Sequence, residues 1–382
     1  MSMPAPGESW GRNSMELPRP ESHVSTEGTL LDYGTATAAR LLGSAGMDVE
    51  QGRAVLRGML SPWGERPISR RPDWHSDVCA DGSPIEFSAA FSDRCTQIRV
   101  LVEAVPDELT TPGAQKSALA LTRVLIEDFG AADGRLAAVS DLFLPDEDPT
   151  GFAMMHAAVF TPAGEPEFKV YLNPNANSRM TGRQRTREAL ERLGFGKAWD
   201  AVVEYARRGF DLDRIVYFGL DLSEGPESRV KVYFRHYDIA PADLDACMEI
   251  AASHEPGLLG GFCRTLTGRV GAIRDQPLVS NLTFTDAGGC APVSATAYVP
   301  LWLYAESDRV ARDRISSVMA DVGLSDDRYR SLLNHMARRT LSDGRGIHTY
   351  ASVRVHRGRP HMTTYWSSEL YDRYPPARYQ RG

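Results

Sequence analysis

Four short strings carry side chains that could hold an anion. Lys169-Val170-Tyr171 and Arg229-Val230-Lys231-Val232-Tyr233 place a cation two residues before a tyrosine. Thr296-Ala297-Tyr298 and Thr363-Thr364-Tyr365 repeat the frame with a hydroxyl in the cation's place. In an extended chain, residues two apart share a face. Lys and Arg are the usual ligands of phosphate oxygens, and tyrosine hydroxyls can donate to the same oxygens. The ring faces can stabilise a carbocation. Cations beside aromatic rings therefore suit heterolysis of an allylic diphosphate: the basic groups hold the leaving group and the rings shelter the allyl cation. Several cations on one buried face repel each other and lose hydration at high cost. They need a compensating anion, and no matching run of inward carboxylates is visible on these strands. A diphosphate serves.

The spacing of these strings says what must position them. Tyr171, Tyr233, Tyr298 and Tyr365 stand 62, 65 and 67 residues apart, and Arg99 lies 70 before Lys169. A recurring interval of this size points to internal repeats. Helical periodicity covers 33–61, 113–144, 181–208, 240–268 and 307–343, each stretch long enough for two helices. Strand-like pairs fall between them: 84–91 with 97–105, 152–160 with 167–173, 214–222 with 229–235, 278–285 with 294–303, and 347–355 with 360–366. Short loops of Gly, Pro, Asp or Ser join each pair as a hairpin. Five hairpins give about ten antiparallel strands, which could close into a barrel inside a ring of helices. The fold class is α+β. Val230, Val232 and Phe234 must meet the helices, which sends Arg229, Lys231, Tyr233 and Arg235 into the lumen. By the same alternation Phe168, Val170 and Leu172 lie opposite Lys169 and Tyr171. Ten strands enclose more space than side chains readily fill, leaving room for a ligand chamber.

Composition narrows the function. The chain has 382 residues, 42% of them hydrophobic, enough for a large core. Its net charge of −7 and lack of Lys/Arg tracts argue against a nucleic-acid partner. No run of about 18 apolar residues exists, so no membrane-spanning helix is expected. Cys79, Cys95, Cys247, Cys263 and Cys290 are scattered, with no CxxC pair, which fits a soluble, cytoplasmic protein without disulfides or zinc. The expected organisation is a disordered leader at 1–28, a single barrel domain at 29–375 and a C-terminal tail at 376–382. Asp326-Asp327-Arg328-Tyr329-Arg330 approximates an aspartate-rich magnesium motif but carries Arg where the third Asp belongs; Asp146-Glu147-Asp148 sits among prolines. Neither reads as a metal site. Walker A, GxGxxG and HExxH patterns are missing.

Pro84-Ile85-Glu86-Phe87-Ser88, Lys169-Val170-Tyr171-Leu172-Asn173-Pro174 and Arg229-Val230-Lys231-Val232-Tyr233-Phe234 resemble the dimethylallyl-tryptophan synthase family of indole prenyltransferases. The likeness runs from about residue 30 to 370. It looks most like the bacterial branch and its tryptophan 6-dimethylallyltransferases. The resemblance implies the ABBA prenyltransferase barrel, five αββα repeats around a solvent-filled core, and an enzyme of secondary metabolism such as alkaloid biosynthesis. It implies transfer of a dimethylallyl group from dimethylallyl diphosphate to L-tryptophan or a related indole, with C6 the favoured carbon. Metal independence and no required cofactor are implied as well.

Residue by residue, the family's diphosphate ligands fall on Arg99, Lys169, Tyr171, Arg229, Lys231, Tyr233, Tyr298 and Tyr365. Thr296 takes a place often held by Gln. Tyr171, Tyr233, Tyr298, Tyr350 and Tyr365 would shield the carbocation. Glu86 falls on the glutamate that accepts the indole N–H. His156 falls near the family's Lys proton acceptor, and a histidine can take a ring proton too. Trp302 and Trp366 neighbour the strand motifs and could shape the acceptor pocket. Two other readings keep the basic lumen. One is a prenyltransferase for phenolic acceptors such as tyrosine or hydroxynaphthalenes. The other is a non-catalytic barrel that binds an anionic ligand and has no need of Glu86.

Overall fold

Ten runs of alternating residues fold as strands: β1 (Ile85–Phe91), β2 (Thr96–Glu103), β3 (Met154–Phe160), β4 (Glu167–Leu172), β5 (Asp213–Asp221), β6 (Val230–His236), β7 (Leu278–Phe284), β8 (Ser294–Pro300), β9 (His348–His356) and β10 (Arg359–Ser367). The computed structural model describes residues 21–22, 28–69, 71–162, 164–274, 276–356 and 358–377. The strands pair antiparallel in chain order, and β10 pairs back onto β1 to close the barrel. Closure satisfies both edges of the sheet. This is the closed ten-stranded barrel expected from the repeats, and the ABBA architecture that the resemblance implies.

A helical segment precedes each hairpin. These are α1 (Leu30–Ala45) with α2 (Val49–Leu60), α3 (Thr111–Phe129), α4 (Gly182–Arg192) with α5 (Ala198–Tyr205), α6 (Pro241–Cys247) with α7 (Leu258–Thr267), and α8 (Asp308–Asp321) with α9 (Asp327–Met336). Local signals set their ends. Thr29 and Asp32 form a capping box at α1, and Thr181 with Gln184 does the same at α4. The helices end in left-handed Gly46 after α1 and Gly130 after α3.

The main core lies between barrel and helices. Ile85, Phe87, Ile98, Val100, Phe168, Val170, Val230, Val232 and Phe234 face outward into it and are fully or almost fully buried. Each such side chain contributes about 1.5–3 kcal/mol by leaving water. A second, small apolar cluster forms inside the barrel from Val78, Cys79, Phe152, Met155, Tyr217 and Tyr233.

Two expectations change. The strand expected over 294–303 stops at Pro300, and Trp302 sits in a short helix, Leu301–Tyr304. Proline has no amide to continue the ladder beyond that point. Trp366 faces outward, stacked on Tyr329 of α9, and so does not shape the chamber. Most of the expected leader, and tail residues 378–382, fall outside the described residues; within the leader, Glu21–Ser22 pair antiparallel with Asp372–Arg373.

Candidate active site

The inward residues form layers because each second strand of a hairpin carries the same frame. Tyr171 of β4, Tyr233 of β6, Tyr298 of β8 and Tyr365 of β10 make a belt. Their ring centroids lie 5.8 Å (171–233), 6.0 Å (233–298) and 6.1 Å (298–365) apart. Tyr217 of β5 closes on Tyr233 edge-to-face at 6.0 Å. Gly219 makes room for this packing: a Cβ there would stand 3.2 Å from the Tyr233 ring. Burial pushes Tyr171 up to about 12 and Tyr233 and Tyr298 further above their ordinary range, so these phenols stay protonated as neutral donors.

Deeper in the lumen, two residues before the tyrosines on β4 and β6 and on the neighbouring β2 and β9, lies a cationic layer. Arg99 of β2, Lys169 of β4, Lys231 of β6 and Arg354 of β9 join Arg229, which sits just before β6. The inward carboxylate that sequence reading did not find is Asp221, at the end of β5. It is the cross-strand partner of Lys169, and it accepts from Arg229 Nε at 2.6 Å and from the Arg229 amide at 3.1 Å. Glu167, at the rim, lies 3.5 Å from Arg229 Nη2. Five cations thus face two carboxylates, leaving three positive charges in excess. Burial, and next the Arg229 charge, holds both Lys169 and Lys231 well below the usual lysine range. Burial with Arg99 and Arg229 lowers Arg354 to about 10. Burial would raise Asp221, but Lys169 and Arg229 hold it below the usual carboxylate range. Two polar atoms of this layer, Arg99 Nε and Thr296 Oγ1, are buried without a hydrogen-bond partner. An anion with several oxygens would relieve all of these strains at once.

Above the belt opens a chamber of about 860 Å³, part of it continuous with solvent. Glu86 of β1 lines it, directly opposite Leu101 of β2. Thr349 Oγ1 donates to Glu86 Oε2 at 2.7 Å, and Oε1 has no partner among the described residues. Burial pushes the Glu86 carboxyl up to about 8, and the Thr349 hydrogen bond only partly offsets it. A bulge in β9 between His348 and Ala351 explains why consecutive Thr349 and Tyr350 both line the chamber. Trp302 lines it too. Its roof is the segment Asp77–Ala80. Glu103 anchors this segment by accepting from Ser76 Oγ at 2.7 Å and the Asp77 amide at 3.0 Å.

His156 is placed elsewhere. It shares the outward face of β3 with Met154 and Ala158, and its Nε2 lies 2.9 Å from Thr122 Oγ1 of α3. Its neighbour Met155 is the residue that enters the chamber. The expected proton acceptor is therefore a polar contact between barrel and helix, with no path to a substrate in the lumen.

A profile of the tryptophan dimethylallyltransferase family matches residues 36–332. The chain belongs to the tryptophan dimethylallyltransferase family. Solved structures agree with this. The 6-dimethylallyltryptophan synthase from Micromonospora olivasterospora, in complex with DMASPP and Trp, is 32% identical with a TM-score of 0.85, over 91% of this chain and 99% of that one. The 5-dimethylallyltryptophan synthase from Streptomyces coelicolor, also with DMASPP and Trp, is 30% identical with a TM-score of 0.82, over 93% and 99%. The prenyltransferase PriB, in ternary complex with L-tryptophan and dimethylallyl thiolodiphosphate, is 29% identical with a TM-score of 0.83, over 92% and 99%.

For this member of the tryptophan dimethylallyltransferase family, the structure adds residues that the motif reading passed over: Arg354, Asp221, Asp77, Glu103 and Asn281. The alternation Ser352-Val353-Arg354-Val355 could have revealed Arg354. Among the described residues no group of three or more His, Cys, Asp or Glu side chains could hold a metal ion. Asp326 instead caps Arg330 one helical turn on, at 2.6 Å. No helix of the described residues is long and apolar enough to cross a membrane.

Proposed function

We propose that this protein moves the dimethylallyl group of dimethylallyl diphosphate onto an indole carbon of L-tryptophan by Friedel–Crafts alkylation. The observation that carries the reading is the order of layers along one lumen: cations at the bottom, a tyrosine belt above them, and Glu86 above the belt. Relatives whose structures hold tryptophan together with a thio-analogue of the donor support it.

Each layer has one task. A diphosphate carries about three negative charges near neutral pH, equal to the excess held by Arg99, Lys169, Arg229, Lys231 and Arg354. Thr296 and the tyrosine hydroxyls supply neutral donors to its oxygens. The C–O bond breaks and the electron pair leaves with diphosphate, whose growing charge meets preorganised donors. The allyl cation is left between the faces of Tyr171, Tyr233, Tyr298 and Tyr365, with Tyr350 and Tyr217 nearby. Glu86 accepts the indole N–H and stabilises positive charge spreading onto the ring, which raises nucleophilicity in the transition state. The new C–C bond forms, and the ring proton then leaves to restore aromaticity. Asp77 lines the chamber, and burial raises its carboxyl above the ordinary value. We assign it the base role once expected of His156. The favoured ring carbon is C6, supported by the narrow margin of identity with the 6-specific relatives.

The pocket neutralises its leaving group with side chains, so the reaction is read as metal-independent and in need of no cofactor, in a cytoplasmic protein. Incubation with tryptophan and dimethylallyl diphosphate in EDTA should give a product heavier by C5H8, with NMR placing the new bond at C6. A product from tyrosine or a hydroxynaphthalene but from no indole would move the assignment to phenolic acceptors. Diphosphate binding without any product would make the barrel a carrier.

A further inference from the structure

Asn281 lies in the middle of β7, fully buried, with its side chain inside the barrel wall. Its amide is held from both ends. Thr283 Oγ1 donates to Asn281 Oδ1 at 3.2 Å, and Asn281 Nδ2 donates to the Tyr298 hydroxyl at 2.7 Å. Thr283 is itself almost fully buried and stands two residues along the same inward face. Because the Tyr298 oxygen accepts from Asn281, its own O–H is directed away from that amide, on the side of the belt where the Tyr233 hydroxyl also hydrogen-bonds with it. Tyr298 shares β8 with Thr296, whose buried hydroxyl has no partner and is the cross-strand neighbour of Asn281.

We infer that Asn281 is a positioning residue: it fixes the direction of the Tyr298 hydroxyl so that this group donates to the departing diphosphate. The inference rests on the reading of the lumen as a diphosphate site. A phenol free to rotate must be oriented when the ligand arrives or ionises; one already held by an amide is preorganised at no further cost. The opposite amide orientation would draw the Tyr298 proton toward Oδ1 and away from the ligand.

The test is a double-mutant cycle between Asn281→Leu and Tyr298→Phe, read on donor KM, kcat and the affinity for inorganic diphosphate measured by calorimetry. Asn281→Leu keeps the shape and removes the hydrogen bond. It should weaken diphosphate binding roughly tenfold in the parent and much less in the Tyr298→Phe background, with the KM for tryptophan little changed. Equal losses in both backgrounds, or unchanged diphosphate affinity, overturn the inference. Should Asn281→Leu fail to fold, Asn281→Asp replaces it. The aspartate accepts the Tyr298 proton, so its loss must grow as pH rises through ionisation of the new carboxyl; a pH-independent loss overturns the inference. A parent protein that neither binds diphosphate nor forms product would instead sink the reading of the site itself.

Discussion

Lys169 and Asp221 face each other across β4 and β5 as one cross-strand pair, and Asp221 also accepts two hydrogen bonds from Arg229. A single carboxylate thus holds Arg229 in place and offsets the charge of Lys169 on the neighbouring strand. Its carboxyl is depressed in the fold, so it contributes stability above the ordinary aspartate pKa, and that stability is lost as pH falls through the lower folded value. Asp221→Asn should lower Tm at pH 7, because removing one partner of a buried pair leaves uncompensated charge. Added inorganic diphosphate should restore more of Tm in the variant than it adds to the parent, since the anion replaces the missing counter-charge. Equal shifts in both proteins count against the assignment.

Glu86 sets a pH dependence. Its folded pKa of about 8 lies above the unfolded carboxyl value. To accept the indole N–H it must be ionised, so kcat/KM for tryptophan should rise with pH up to about 8. Glu86→Gln should lose turnover, keep its affinity for diphosphate and abolish that rising limb. The same shift has a stability consequence with a definite sign. Ionising a group whose folded pKa is raised costs stability as pH climbs from the unfolded value to the folded one. The Gln variant should therefore unfold at a higher temperature than the parent at pH 8 and show a smaller gain at pH 5.

The cationic layer predicts how metal acts. Lys231→Ala removes one charge from a low-dielectric site, which commonly costs on the order of 3 kcal/mol, or roughly a hundredfold in rate. Millimolar magnesium should partly rescue the variant while hardly altering the parent, and chelator should leave the parent active. A parent enzyme that is dead in EDTA and restored by metal would refute the basic-pocket mechanism.

His156 and Asp77 separate a packing role from a chemical one. His156→Gln disturbs the contact with Thr122 on the outer face of β3. It should lower Tm by a few degrees, as loss of one buried hydrogen bond costs about 1–3 kcal/mol, and leave kcat near the parent value. Asp77→Asn should do the reverse. With deuterium at the attacked ring carbon, it should also reveal a primary isotope effect as proton loss becomes rate-limiting. Slow turnover in His156→Gln at unchanged stability would return the base role to the histidine.

The sequence by itself determined a good deal. Period-two alternation is a local property, so Lys169, Tyr171, Lys231 and Tyr233 could be assigned to the lumen once helices were required on the other face. Their recurrence at a near-constant interval fixed the number of repeats, and with it the closed ten-stranded barrel. Facing was lost wherever the backbone departs from strict alternation. The bulge between Ile215 and Tyr217 in β5 turns Tyr217, Gly219 and Asp221 inward, although Asp213 and Ile215 face outward. The bulge in β9 brings Thr349 to Glu86. No periodicity encodes the extra residue of a bulge; it shows only when two strands are laid in register. His156 was misplaced for a related reason, since a motif position one residue out lands on the opposite face. The electrostatics were also beyond the sequence. The raised carboxyl of Glu86 comes from burial, and the excess of three positive charges is summed over β2, β4, β5, β6 and β9, segments brought together only when the barrel closes.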